Sequence, residues 1–297
     1  MIYICILNYN NASDTLACLQ SIEKLRDVLY KVVLVDNAST DDSVNVLERF
    51  VNENQNIKFI CAHTNGGYAA GNNIALEYAM QQKDMDYCWI LNNDTLVDEY
   101  ALVQLKKYMD NNPKVGICGS KLVYEWDKNK IQGYGAFYNP VLGTTSMCKD
   151  INKIGNIDYI VGAACMVRKE FLCKVGLMDE EYCLYYEELD WAYRAKGRFK
   201  IACVPESVVY HKEGASIGGN DEKKHSKSLL SDYYGLRNRI LFTMKFHPCF
   251  LPTVYIGLMW SIFNRIKRKQ FNRIFIICKL MLGIKDKKLE SYFKVQN

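Results

Sequence analysis

Four short polar clusters each close an apolar run. They are Asn8-Tyr9-Asn10, Asp36-Asn37-Ala38-Ser39, Asn65-Gly66-Gly67 with Gly71-Asn72, and Asn92-Asn93-Asp94-Thr95. A hard divalent cation bridging a diphosphate takes oxygen ligands, one or two carboxylates plus the phosphates, and Asp94 suits that role. Capping the next helix is its plainer use. The glycines let backbone approach a phosphate or sugar closely, or simply turn a strand into a helix. They follow the third run, not the first, and so do not make a dinucleotide fingerprint. Further on, Glu187, Glu188 and Asp190 lie within four residues, between Tyr185-Tyr186 and Trp191. At least one of these acids must resist ionisation unless cations or hydrogen bonds offset the repulsion. That makes the cluster a source of a general base, or else the acidic first turn of a helix. His211 follows the apolar run 208–210 and offers a neutral imidazole to a metal, or is an ordinary loop histidine. His63, His225 and His247 have no comparable setting.

The elements that must position these groups are legible as apolar runs. Residues 2–7, 31–36, 57–61, 87–91 and 115–118 read as strands, with amphipathic segments between them at about 13–27, 41–54, 69–82 and 98–111. Strands alternating with helices predict βαβ units, a mostly parallel sheet and helices on both faces. The clusters then fall at the carboxyl ends of the strands, where open α/β sheets bind ligands. Residues 120–160 lose this periodicity and read as a loop-rich insertion. A strand is expected at 159–167, a short helix at 169–175, a helix at 187–196 and a strand at 200–204 followed by an apolar run to 210. The Gly-, Lys- and Ser-rich stretch 213–227 reads as mobile.

Composition narrows the class. The chain has 297 residues, 49% hydrophobic and 24% charged, enough for a sizeable core and too ordered a composition for wholesale disorder. None of the 12 Cys forms a Cys-x-x-Cys pair, and several sit in apolar runs, which predicts buried, reduced thiols rather than a zinc knuckle. The first residues lack a basic flank and a small-residue cleavage site, and read as a strand, not a leader. The net charge of +5 conceals an asymmetry. From Leu236 onward there are 13 Lys and Arg against 2 Asp and Glu; the first 235 residues hold 25 against 31. We therefore expect a domain over 1–235 and a basic helical region over 236–297. In that region, 248–263 carries no formal charge and 274–278 is apolar, with Arg265, Lys267, Arg268 and Lys269 between them. Spanning takes about 20 apolar residues, so these segments fit helices lying in a membrane interface, or a hairpin packed on the domain.

Together these residues resemble glycosyltransferase family 2, the inverting GT-A transferases, over roughly residues 1–215. Leu7-Asn8-Tyr9-Asn10 is similar to the family's first-strand Thr-x-Tyr-Asn. Val35-Asp36-Asn37-Ala38-Ser39-Thr40-Asp41 is similar to Val-Asp-Asp/Asn-x-Ser-x-Asp. The glycine segment resembles Asn-Gly-Gly-x-x-x-Gly-Asn, Asn92-Asn93-Asp94 stands in place of Asp-x-Asp, and Glu187-Glu188-Leu189-Asp190 in place of Glu-Asp-x-Asp. His211 matches the late metal histidine. Tyr234-Gly235-Leu236-Arg237-Asn238-Arg239 is most similar to the rhamnosyltransferase branch. Two departures stand out: Asn92 for the first Asp of Asp-x-Asp, and Glu188 for the Asp expected as base.

The resemblance implies a GT-A fold and an enzyme that moves a sugar from a nucleoside-diphosphate donor, dTDP-rhamnose or another dTDP- or UDP-sugar, to a lipid-linked or polysaccharide hydroxyl. It implies Leu7, Tyr9, Asp36 and Asn37 around base and ribose, Gly71, Asn72, Asn92 and Asn93 along the sugar diphosphate and ribose, and Asp94 with His211 on Mg²⁺ or Mn²⁺. Glu188 is then the base, with Glu187, Asp190 and Trp191 at the acceptor or in support. Arg237 and Arg239 face a diphosphate, an anionic lipid carrier, or water. The expected place is the cytoplasmic face of the cell membrane, peripherally, with no nucleic-acid partner. Two other classes stay open: a nucleotidyltransferase, against which residues 8–15 lack any Lys or Arg, and a non-catalytic nucleotide-sugar or membrane-binding module, which the loss of charge at Asn92 would suit.

Overall fold

The computed structural model describes residues 1–212 and 228–293; the stretch read as mobile, with His225, lies outside the described residues. The chain opens with β1 (Ile2–Asn8), α1 (Ala12–Ile22), β2 (Tyr30–Asp36), α2 (Ser43–Asn52), β3 (Ile57–Cys61), α3 (Gly67–Met80) and β4 (Tyr87–Asn92). β1 shows why these runs form a central sheet. Ile2, Ile4 and Ile6 enter one apolar cluster, Tyr3 and Cys5 the other, and all five are buried. A strand covered on both faces must be apolar at every position, which is what its sequence supplies. α1 packs on one face through Cys18, Leu19 and Ile22, and α3 on the other through Ala69, Ala75, Leu76 and Ala79. Each buried leucine or isoleucine contributes roughly 1.5–3 kcal/mol. Asn11 caps α1 by accepting from Asp14 N, which fixes how the chain leaves the end of β1.

After β5 (Thr95–Val97) and α4 (Ala101–Asn111) come β6 (Val115–Tyr124), β7 (Asp127–Gly133), the hairpin β8 (Ala136–Asn139) and β9 (Thr144–Met147), β10 (Ala164–Arg168), α5 (Lys169–Val175), α6 (Glu187–Ala195) and β11 (Lys200–His211). The nine-stranded sheet runs β3-β2-β1-β4-β10-β6-β11-β5, with β7 beside β6. The α/β expectation holds. Its parallel pairing is concentrated in β3-β2-β1-β4 and β6-β11, and β10, β5 and β7 pair antiparallel.

The loop-rich reading of 120–160 is corrected: β6 runs on to Tyr124 and returns as β7, and β8 and β9 form a second small sheet. β7 is polar at nearly every position on both faces, so no alternation marks it. Lys130 lies over the rings of Trp126 at 4.7 Å and Tyr124 at 5.2 Å, where a buried side chain would otherwise stand. The strand expected at 159–167 is Ala164–Arg168, preceded by a turn at Gly162. The two runs over 200–210 are one strand, bulged between Val204 and Val208 where Pro205 interrupts the ladder.

α7 (Leu229–Phe246), α8 (Leu251–Lys267), α9 (Phe271–Met281) and α10 (Lys287–Glu290) complete the chain. The boundary expected at 235/236 falls inside α7. The segment Pro248–Lys267, 20 residues, is longer than its charge-free run and is long and apolar enough to cross a membrane by length and composition. α8 buries Val254 and Leu258, while Ile256, Met259, Trp260 and Phe263 are exposed.

Candidate active site

Strand register sets the first four clusters side by side. Asn8 stands opposite Asp36, and Leu7 opposite Asn92, so β1, β2 and β4 end abreast. A buried hydrogen-bond line crosses these ends. Asn93 Nδ2 donates to Thr15 Oγ1 at 3.0 Å, which donates to Asn8 Oδ1 at 2.7 Å, and Asn8 Nδ2 donates to Asp36 Oδ2 at 2.7 Å. Asp36 also accepts from Ser39 N and Ser39 Oγ, at 2.8 and 2.7 Å. Its fully buried carboxylate is therefore committed to tying β1 and β2 together beneath the rim. Asn37 Nδ2 donates to Asn65 Oδ1 and Gly67 O, at 3.0 and 3.1 Å, which pins the glycine turn and leaves Oδ1 to accept. Gly71 is in close approach to Leu7 and Asn37; a Cβ there would overlap the Leu7 methyls. Asn72 is buried and bonds Tyr68 O within its own helix. Tyr9 meets Tyr292 edge to face at 6.4 Å. Asn92 anchors the turn by its backbone: its N–H donates to Ala163 O and its carbonyl accepts from Thr95 Oγ1.

Asp94 and His211 come together across the β5–β11 pairing. His211 Nε2 lies 3.2 Å from Asp94 Oδ1, and both residues are buried. His211 Nδ1 lies 2.9 Å from Gln132 Oε1. An amide oxygen only accepts, so Nδ1 is the donor in that contact and Nε2 is the nitrogen turned toward Asp94. The donor set is one carboxylate oxygen and one imidazole nitrogen at hydrogen-bond separation, with the ring oriented from behind. It fits a divalent cation that completes its shell with phosphate oxygens and water.

The acidic cluster separates into three environments. Burial, and after it the neighbouring Glu188, holds the Glu187 carboxyl well above the usual carboxylate range. Its Oε2 is buried and has no partner among the described residues. Burial also pushes Glu188 up, to about 6, against the pull of the backbone N–H groups of Glu188 and Gly162. Glu188 Oε1 accepts from Gly162 N at 2.9 Å. Asp190 is fully buried and faces the other way, 2.5 Å from Arg194 Nε and 2.6 Å from Lys245 Nζ. Trp191 packs on Phe171 and donates from Nε1 to Gly176 O at 2.8 Å. Asp190 and Trp191 hold α6 in place.

Glu188 also lines a cavity of about 370 Å³ between β9, the 159–161 segment, Tyr185-Tyr186 and α7. Tyr68, at the first turn of α3, donates its hydroxyl to Gly162 O at 2.9 Å, and so links the glycine turn of the rim to the Glu188 segment. Gln132, Tyr68, Gly162 and Thr15 were not singled out from sequence. Gln132 lies in the polar strand that shows no periodicity, and Gly162 sits in a run that reads as strand.

An α/β sheet whose strand ends form a polar rim beside a carboxylate-bearing cavity is the GT-A arrangement of a glycosyltransferase. A solved mannosyltransferase from Pyrobaculum calidifontis, in complex with GDP-Man and Mn²⁺, overlays with a TM-score of 0.59 at 13% identity, covering 94% of this chain and 84% of its own. GalNAc-T7 with UDP, GalNAc and Mn²⁺ gives 0.68 at 16% identity, covering 86% and 50%. A family model described as Glycosyl transferase family 2 matches residues 3–176, more than half of the chain, and the chain belongs to that family. Among its relatives, the dTDP-rhamnosyl transferase RfbF of Shigella flexneri is 25% identical over 271 residues, 85% of this chain and 83% of that one. The low-salt glycan biosynthesis hexosyltransferase Agl10 of Haloferax volcanii is 22% identical over 199 residues; the match spans 65% of this chain and 61% of Agl10.

Proposed function

We propose that the chain is an inverting, divalent-metal-dependent sugar transferase. Its donor is a dTDP- or UDP-sugar, with dTDP-rhamnose the first choice, and its acceptor is a hydroxyl of a lipid-linked or polysaccharide glycan. The observation that carries this reading is the placement of Glu188. It stands on the wall of the cavity, joined through Gly162 and Tyr68 to the rim on which Asp94 and His211 meet. The identity to a dTDP-rhamnosyl transferase over most of both chains supports the choice of donor.

In this reading Leu7, Tyr9 and Asn37 hold the nucleoside, with Asp36 fixing their strand ends from below. Gly71, Asn72, Asn92 and Asn93 border the sugar diphosphate. Asp94 and His211 would hold Mg²⁺ or Mn²⁺, which supplies a Lewis acid for the charge on the leaving diphosphate. Glu188 takes the proton of the acceptor hydroxyl as its oxygen attacks the anomeric carbon opposite the diphosphate, which inverts that centre. Glu187, whose carboxyl burial and Glu188 hold above the usual carboxylate range, supports it from the protein side. Asp190 and Trp191 act in support.

Titration of dTDP and UDP, with Mn²⁺ and with EDTA, tests the donor side. Asp94→Ala is expected to weaken binding in Mn²⁺ by at least about 10-fold and to change nothing in EDTA. Equal affinity of the parent protein in the two conditions overturns the metal assignment. A second expectation concerns Gly162. A methyl there overlaps both Glu188 Oε1 and the Tyr68 hydroxyl. Gly162→Ala keeps every functional group yet displaces the base, and transfer should fall about 100-fold with dTDP affinity retained.

The region after α7 supports placement at a membrane surface. Ile256, Met259, Trp260, Phe263, Phe271 and Phe275 are exposed apolar groups on α8 and α9, and exposed Lys267, Arg268 and Lys269 lie between the two helices. An apolar face with cations beside it suits the cytoplasmic, anionic leaflet, and we propose that these helices lie on it, although Pro248–Lys267 has the length to cross.

A further inference from the structure

Arg237 and Arg239, which the sequence could not tell apart, have opposite settings. Arg237 is bound within the protein: Nη1 donates to Glu181 O and Asn238 Oδ1, and Nε is 3.3 Å from the Glu290 carboxylate. Arg239 is only 8% exposed, and none of the described carboxylates pairs with it. Its Nε donates to Leu142 O at 2.8 Å, and the side chain lines the same cavity as Glu188. Space for it is built in. A Cβ at Gly257 would lie 2.5 Å from Arg239 Nη2, and one at Gly143, whose φ is +64°, would lie 3.1 Å from Arg239 Cγ. Of the two carboxylates in the cavity wall, Glu188 is the proposed base, and Asp232 is paired with Arg265 at 2.7 Å and Arg273 at 3.0 Å.

A guanidinium cannot shed its charge by deprotonation, and leaving it buried beside a neutral ligand is costly. Its fork matches a carboxylate or a phosphate. Asp94 and His211, the residues that would hold the donor's metal, are not part of the wall of this cavity. We propose that Arg239 is the anchor for an oxyanion on the acceptor, so that the acceptor is an anionic glycan or a phosphate-linked lipid rather than a neutral sugar. This rests on the reading of Glu188 as the base that faces the acceptor.

The test uses the full chain in EDTA and three probes: methyl glucuronide, geranyl phosphate and neutral methyl glucoside. The parent protein should bind at least one of the two anions about 10–100-fold more tightly than methyl glucoside. Arg239→Gln should abolish that preference, with Arg239→Lys retaining part of it. Thr145→Asp, on an exposed strand lining the cavity, adds a carboxylate to the same wall as Arg239 and should abolish it too. Preference for geranyl phosphate assigns a lipid carrier, and preference for the glucuronide an acidic glycan. No preference in the parent protein, or one that survives both Arg239→Gln and Thr145→Asp, overturns the proposal. Binding of dTDP or UDP with Mn²⁺ in the same samples reports separately on the donor site. If it holds while the anion preference is absent, only the acceptor inference falls.

Discussion

Glu188→Gln is expected to lower sugar transfer by about 10²–10⁴-fold while nucleotide affinity stays within about twofold of the parent. The amide keeps the shape of the carboxyl and its contact with Gly162 N is replaceable, but it cannot take a proton. Single-turnover transfer and titration with dTDP separate the two effects. The same residue sets a pH dependence. Burial puts Glu188 at about 6, and the base works only when ionised. The rate therefore rises with pH through about 6 and levels above it; at pH 5 it is about a tenth of the plateau. A flat profile from pH 5 to 8, or near-parental turnover in Glu188→Gln, removes Glu188 as the base. Glu187 is no substitute: it does not line the cavity, and burial, with Glu188 beside it, holds its carboxyl well above the usual carboxylate range.

Asp190→Ala carries the second large effect, on stability rather than on chemistry. Two cations converge on this fully buried carboxylate, and the Tyr182 hydroxyl reaches it at 3.3 Å. Breaking a buried pair from one side costs about 3–5 kcal/mol. Here Arg194 and Lys245 are 24% and 36% exposed, so water recovers part of that. A loss of about 2–4 kcal/mol remains, read as a melting point lower by on the order of 5–10 °C. Below that transition, affinity for dTDP with Mn²⁺ should match the parent. A variant that melts like the parent but fails in transfer would instead place Asp190 in the chemistry.

The contrast between Glu188 and Asp190 shows what one-dimensional order conveys. Two residues apart on a helix, side chains point to different sides. The motif marks both; Arg194, one turn on in α6, and Lys245 of α7 claim Asp190, while Glu188 faces the cavity. The strands from β1 to β4 were legible because burial on both faces writes itself as unbroken apolar runs. β7 was not, because Asp127-Lys128-Asn129-Lys130-Ile131-Gln132-Gly133 is polar on both faces, and with it went Gln132, which orients His211. The four rim clusters needed no such help. Each directly follows a run that could be read, and parallel register alone sets them abreast.

One detail of α7 bears on how this transferase can be re-engineered. Cys183, Tyr185 and Tyr186 adopt left-handed backbone, with φ of 58°, 70° and 76°, just before the acids of α6. Such backbone persists only when its surroundings hold it. Asn238 does so, donating from Nδ2 to the carbonyls of Tyr182, Leu184 and Tyr185 at 2.7, 2.8 and 2.9 Å. The swing in charge at Leu236 falls inside the helix that carries this clasp. A chimera that trades the tail for one addressed elsewhere is expected to keep the fold of the 182–186 turn only when joined beyond Phe246, so that Asn238 and its helix are retained.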